Sequence, residues 1–158
     1  MNKNKPSATA MFVTKGIYHS IHQKKLANDI PEDVKKYNTK LIEHFHHFNW
    51  PVLIRWRVFI SGIAQHFSIK GFFLHFLLRK KCIEKQVTMF IESGIEQVIV
   101  LGAGYDTLCS RLAERYPKII FIEVDHPATA DNKVAIFKEL AWQRSNIQYY
   151  SCDLKNIE

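Results

Sequence analysis

Paired cysteines, unbroken apolar runs and a full dinucleotide glycine pattern are all missing from this sequence. Its three cysteines, Cys82, Cys109 and Cys152, are odd in number, far apart and form no CxxC pair. That excludes a disulfide framework and the usual spacing of a zinc site. The most apolar region, Val52 to Leu78, is interrupted by Arg55, Arg57, His66, Lys70 and His75, so it falls short of the ~20 residues that cross a bilayer. No membrane span is expected. Met1 to Lys5 lead into polar and small residues and not into an apolar core, so no signal peptide is read and a cytoplasmic, reducing setting is expected. Neither an internal repeat nor a low-complexity segment is present.

A chain of 158 residues that is 47% hydrophobic can bury a real core and suits one compact unit. Its net charge of +7 is uneven. Residues 1–101 carry 15 Lys/Arg against 7 Asp/Glu, whereas residues 102–158 carry 7 against 8. The basic surplus is scattered over several segments and joins no nucleic-acid motif, so no nucleic acid is expected as a partner.

Residues 1–94 read as an N-terminal helical region. Val34, Tyr37, Leu41, Phe45 and Phe48 recur at spacings of three and four, one helical face that should end near Trp50-Pro51. A second helical region is expected from about Arg55 to Leu78, with Gly71 as a possible break. A third covers about Lys80 to Ser93, with Ile83, Val87, Phe90 and Ile91 inward and Gly94 as its stop.

From Ile95 the period changes. Gln97–Leu101 is a short β-branched run of the kind that fills a parallel sheet buried on both faces. A helix from about Thr107 to Arg115, a strand over Ile119–Val124, a helix from His126-Pro127 to about Gln143 and a strand over Ile147–Ser151 follow. The order βαβαβ over residues 95–158 is one mononucleotide-binding half of a doubly wound α/β sheet.

Ligands of such a sheet lie beyond the carboxyl ends of its strands, and chemistry-bearing residues fall at all three ends. Gly102, Ala103, Gly104 and Asp106 follow the first strand, Asp125 the second, Asp153 and Leu154 the third. The glycines let backbone approach a ligand. Asp125 is placed to accept from two ribose hydroxyls. A dinucleotide fingerprint would need a glycine where Thr107 stands. Asp106, moreover, puts negative charge beside a helix N-terminus that would otherwise attract phosphate. An adenosyl compound with an ammonium and a cationic sulfur, S-adenosylmethionine, suits the loop better. A simpler role for Asp106, capping the following helix, is compatible with that reading.

The run LGAGYDTLCSRL, followed by FIEVDHP and then CDL, resembles the leucine carboxyl methyltransferase family, in particular its bacterial branch of S-adenosylmethionine-dependent methyltransferases. Ser7-Ala8-Thr9-Ala10 resembles the family's S-x-T-A segment. Leu78-Arg79-Lys80-Lys81-Cys82-Ile83-Glu84 resembles its R-T-R-F-[IL]-D segment.

The resemblance implies a Rossmann-like class I methyltransferase half in which Gly102 and Gly104 form the cofactor loop, Asp125 holds the ribose, and Asp153 with Leu154 meets the adenine. Either Arg79 or Lys81 would meet the cofactor's carboxylate, Lys81 standing where the branch has arginine. A lysine there keeps a point charge and loses a bidentate grip. The implied reaction is methyl transfer to an oxygen of a small-molecule or carboxylate-bearing acceptor.

Family members continue past the third strand. A truncated form lacking the C-terminal strands, with impaired or no turnover, is therefore expected, as is an exposed first-strand edge that could support self-association. The alternatives are a non-catalytic association module completed by a partner chain and an NAD-dependent oxidoreductase fragment. His44, His46 and His47 do not share one helical face at metal-binding spacing and read as surface residues. His126 reads as a turn residue before Pro127, and the aromatic residues from Trp50 to Phe76 as helical core.

Overall fold

The structure, a computed structural model, describes residues 6–46 and 72–153. Its elements are α1 (Ala8–Ile21), α2 (Lys24–Ala27), α3 (Glu32–His46), α4 (Phe72–Glu92), β1 (Gln97–Leu101), α5 (Leu108–Arg115), β2 (Ile120–Asp125), α6 (Pro127–Glu139) and β3 (Ile147–Ser151). They form two compact units, residues 13–81 and residues 1–12 with 82–158, in place of the one unit that length alone suggests. Among the described residues no helix is long and apolar enough to cross a membrane.

In the helical unit, Ile17, Ile30, Tyr37, Leu41, Ile42 and Leu77 are buried. The spacing of Tyr37 and Leu41 on α3 is that of the expected apolar stripe, with Val34 and Phe45 half-buried beside them. Glu32 and Asp33 occupy the first turn of α3, where carboxylates favour the helix dipole. The Asn38 side chain, buried on the same helix, donates to the Thr14 carbonyl at 3.3 Å. Phe48, His47, Trp50, Trp56 and the part of the expected second helical region as far as Gly71 lie outside the described residues.

The other unit is α/β, with a three-stranded parallel sheet in the order β1-β2-β3. Val98, Phe121 and Ile147 are buried together with Leu108, Cys109, Leu112 and Ala113 of α5 and Ile91 of α4. The Asn146 side chain closes this layer, donating to the carbonyls of Ala113, Tyr116 and Ile119 at 3.3, 3.2 and 3.0 Å. Among the described residues the core packs on one face of the sheet, and not on two as the β-branched run predicted. Ile99 is 57% and Leu101 65% exposed. Two successive crossovers of one hand, moving the same way across a sheet, put both helices on the same face.

Two helix readings change. The second and third helical regions meet in one helix, α4, with no break at Leu78–Lys80. In its second half the inward residues are Val87 and Ile91, while Ile83 and Phe90 are exposed. The stripe is set by Glu84, which pairs with Arg111 at 2.7 Å and with Arg115; Ile83 and Phe90, seven residues apart and so on one shared face, fall to one side of it. Gly94, at φ +104°, ends the helix as expected, with its amide bonded to Ile91 and that of Ile95 to Phe90.

The second change concerns α6, which stops at Glu139 and not near Gln143. The same closing pattern occurs there, from Ala141 to Lys138 at 3.1 Å and from Trp142 to Phe137 at 2.8 Å. The residue in the left-handed position is Ala141, at φ +55°, so no glycine marks the stop in the sequence. A Cβ in that conformation costs about 1 kcal/mol. Ala141→Gly is therefore expected to raise unfolding stability by about 1 kcal/mol in denaturant titrations.

Candidate functional site

The loop after β1 turns over the end of β2. Gly102, at φ +68°, donates its amide to the Val124 carbonyl at 2.8 Å, and Ala103 follows at 3.4 Å. Gly104, at φ +53°, donates to the Asp125 carboxylate. A Cβ on Gly104 would sit 3.1 Å from that of Ala10, so the backbone angle favours glycine there and a side chain would also press on Ala10. At Gly102 only the angle does, since nothing lies within 4 Å of the corresponding position. Open space therefore adjoins one side of the turn.

Ser7 and Ala10, in the segment resembling S-x-T-A, belong to this unit. Ser7 receives the Ala10 amide on its hydroxyl at 3.2 Å and donates its own amide to Thr129 Oγ1 at 3.0 Å. The N-terminal segment is thus held against α6 as well as against the glycine turn.

Asp106 takes the capping role. Its Oδ1 accepts from the Leu108 amide at 3.1 Å, and its own amide donates to the Ala103 carbonyl at 3.0 Å. The carboxylate thus occupies the N-terminus of α5, the place a phosphate would need.

Asp125 ends β2, half-buried. One oxygen accepts from Gly104 and the other from the His126 amide at 2.6 Å. Each carboxylate oxygen can accept a second bond, so two acceptor positions are left for a diol. His126 is the cap of α6, where its carbonyl accepts from Thr129 at 2.9 Å and Pro127 opens the first turn. The Asp125 carbonyl accepts from the Cys152 amide at 2.8 Å, which places Asp153 at the same rim beyond β3.

Gly102, Gly104, Asp106, Asp125 and Asp153 are therefore gathered at one end of the sheet. Ala103 lies among them with its side chain buried. Arg79 and Lys81 are exposed residues of α4 within the helical unit. Leu154 lies outside the described residues.

Four residues of the loop's support escaped the reading of the sequence. Lys133, on α6, is buried with its Nζ 2.6 Å from Glu123 of β2 and 2.6 Å from the Asp106 carbonyl. Next to it, Asn132 accepts from the Tyr105 hydroxyl at 2.6 Å. A signal existed: Glu123 is a carboxylate inside a buried strand, and such a charge demands a partner.

Burial, and then the charge of Asp125, push the Tyr105 hydroxyl up to about 12. Burial, followed by the charge of Glu123, also pushes the Cys109 thiol upward. That thiol stays protonated and is no nucleophile.

The raised Tyr105 value makes a pH prediction. A group that holds its proton more tightly when folded contributes stability below its ordinary pKa of 10.0 and loses it as pH rises through about 12. The thermal midpoint should therefore fall across that window, and Tyr105→Phe should flatten the fall. An identical pH profile for the variant would contradict the assignment.

The sequence is similar to known proteins. The model of the leucine carboxyl methyltransferase family matches residues 33–158. A relative in Bacillus subtilis (strain 168), YktD, provisionally named an S-adenosyl-L-methionine-dependent methyltransferase, is 40% identical over 57 residues. That match covers 36% of this chain and 19% of the relative. With the family model spanning most of the sequence, and with the glycine turn and Asp125 placed as described, the chain belongs to the leucine carboxyl methyltransferase family.

Proposed function

We propose that the chain binds S-adenosylmethionine at the rim formed by the turn 102–106 and Asp125, and that the activity it serves is methylation of a carboxyl or hydroxyl oxygen. The observation that carries this reading is the Asp106 carboxylate seated on the N-terminus of α5 inside a glycine turn. Such a turn is unsuited to a diphosphate and suited to a cationic ligand. The family and the provisional name of the Bacillus relative support the same cofactor.

When bound, S-adenosylmethionine supplies an activated methyl group for in-line transfer to an oxygen nucleophile. The chain's own residues bind and orient. The free acceptor positions of Asp125 take the two ribose hydroxyls, while Gly102 leaves room for the ligand beside backbone. Asp106 adds a second negative charge at the turn beside that of Asp125, and Asp153, just beyond β3, meets the adenine in this reading. Alignment of two reactants is worth up to about 7 to 11 kcal/mol in favourable cases. No covalent nucleophile is required.

A second reading, a non-catalytic association module, is favoured by the exposed apolar face carrying Ile99 and Leu101.

Calorimetric titration of the full chain separates these readings. S-adenosylmethionine is expected to bind and NADH to leave no heat. Asp125→Ala should weaken the cofactor by at least about tenfold, since it removes acceptors of charge-assisted hydrogen bonds. Asp106→Asn keeps a capping oxygen but drops the charge, and should weaken binding several-fold without changing the thermal midpoint. A dinucleotide bound in place of the sulfonium compound would sink the proposal. A stable dimer in size-exclusion measurements, with no cofactor affinity, would favour the association module.

A further inference from the structure

The buried ion pair of Lys133 and Glu123 is out of proportion to any stabilising task. Lys133 is 1% and Glu123 4% exposed. Desolvating two such charges costs several kcal/mol each, and a well-packed apolar pair of similar volume commonly leaves a fold as stable or more so. An apolar pair could not do one thing that Lys133 does, which is donate to a backbone carbonyl of the turn. Its Nζ reaches the Asp106 oxygen at 2.6 Å while lying 5.0 Å from the centre of the Phe137 ring. Phe137 is fully buried and packs edge-on against Trp142, so the aliphatic stem has a fixed bed.

The neighbouring α6 residue repeats the pattern, because Asn132 accepts from Tyr105. Consecutive residues of one helix thus hold consecutive residues of the turn. Helix α6 in turn begins directly after Asp125, whose carboxylate receives the Gly104 amide.

We propose that Lys133 is a positioning residue for the cofactor loop: neutralised by Glu123, its ammonium clamps the Asp106 carbonyl and keeps the turn in the shape that joins Gly104 to Asp125. The role in binding rests on the S-adenosylmethionine reading of the site; the clamp itself does not. A turn released from the clamp spends part of its time in other shapes. Apparent affinity then falls by the fraction of molecules still competent.

The test uses the full chain and the variant Glu123→Leu/Lys133→Met, which replaces the pair by apolar groups and leaves no charge stranded. Lys133→Met alone strands Glu123 and is expected to destabilise, which shows why the double replacement is needed. Thermal unfolding, calorimetry with S-adenosylmethionine and hydrogen exchange of the amides of residues 102–108 are measured together.

The double variant is expected to keep a thermal midpoint near that of the wild type, to bind the cofactor about tenfold or more weakly and to exchange its loop amides faster. A stable double variant with wild-type affinity and wild-type loop exchange overturns the proposal. If the wild type itself does not bind the cofactor, the cofactor reading fails, and loop exchange alone decides whether the clamp exists. If neither variant folds, the wild type still decides. Its loop amides should exchange together with those of α6, and loop amides exchanging a hundredfold faster than α6 would refute the clamp.

Discussion

The hydrogen bond from the Gly104 amide to the Asp125 carboxylate joins the ends of two neighbouring strands, and the geometry of the rim depends on it. It forms only because Gly102 and Gly104 both take left-handed backbone angles and carry the chain back over β2. Parallel pairing in register, Leu101 beside Val124 and Asp125 beside Ser151, brings the three strand ends level. The site is therefore a property of the sheet's register, with the loop as its covering.

Charge at this rim is arranged with a consistent sign. Asp106, Asp125 and Asp153 follow the three strands, and the buried cation nearest the turn, Lys133, is spent on Glu123 and on a carbonyl. The rise in the Tyr105 pKa records the same negative field, since Asp125 contributes to it after burial. Such a rim disfavours anions and leaves the α5 N-terminus occupied by a side chain of the protein itself. Within the helical unit, Arg79 and Lys81 stand among the surplus of basic residues visible in the first part of the sequence.

Packing follows a simpler rule. Phe121 and Leu112 are wholly buried where α5 meets the sheet, and Glu84 pairs with Arg111 beside them. The acid in the segment just before β1 thus serves α4–α5 packing.

How much of this was legible depended on whether the signal was local. The strands, the helix α5, the cap at His126-Pro127 and the glycine turn were readable because turn residues and short β-branched runs state local backbone preferences. The stop of α6 was not, because Ala141 adopts a left-handed angle that no residue type announces. The pairing of Lys133 with Glu123 and Asp106 was not readable either, since the partners come from three separate elements. By itself the sequence determined the βαβαβ order and the residues at each strand end, for these rest on propensity and spacing. Only the tertiary structure decided which sheet face is covered, which helix stripe points inward and what holds the turn. Those outcomes arise from contacts between segments far apart in the chain, where burial and charge neutralisation select the partner.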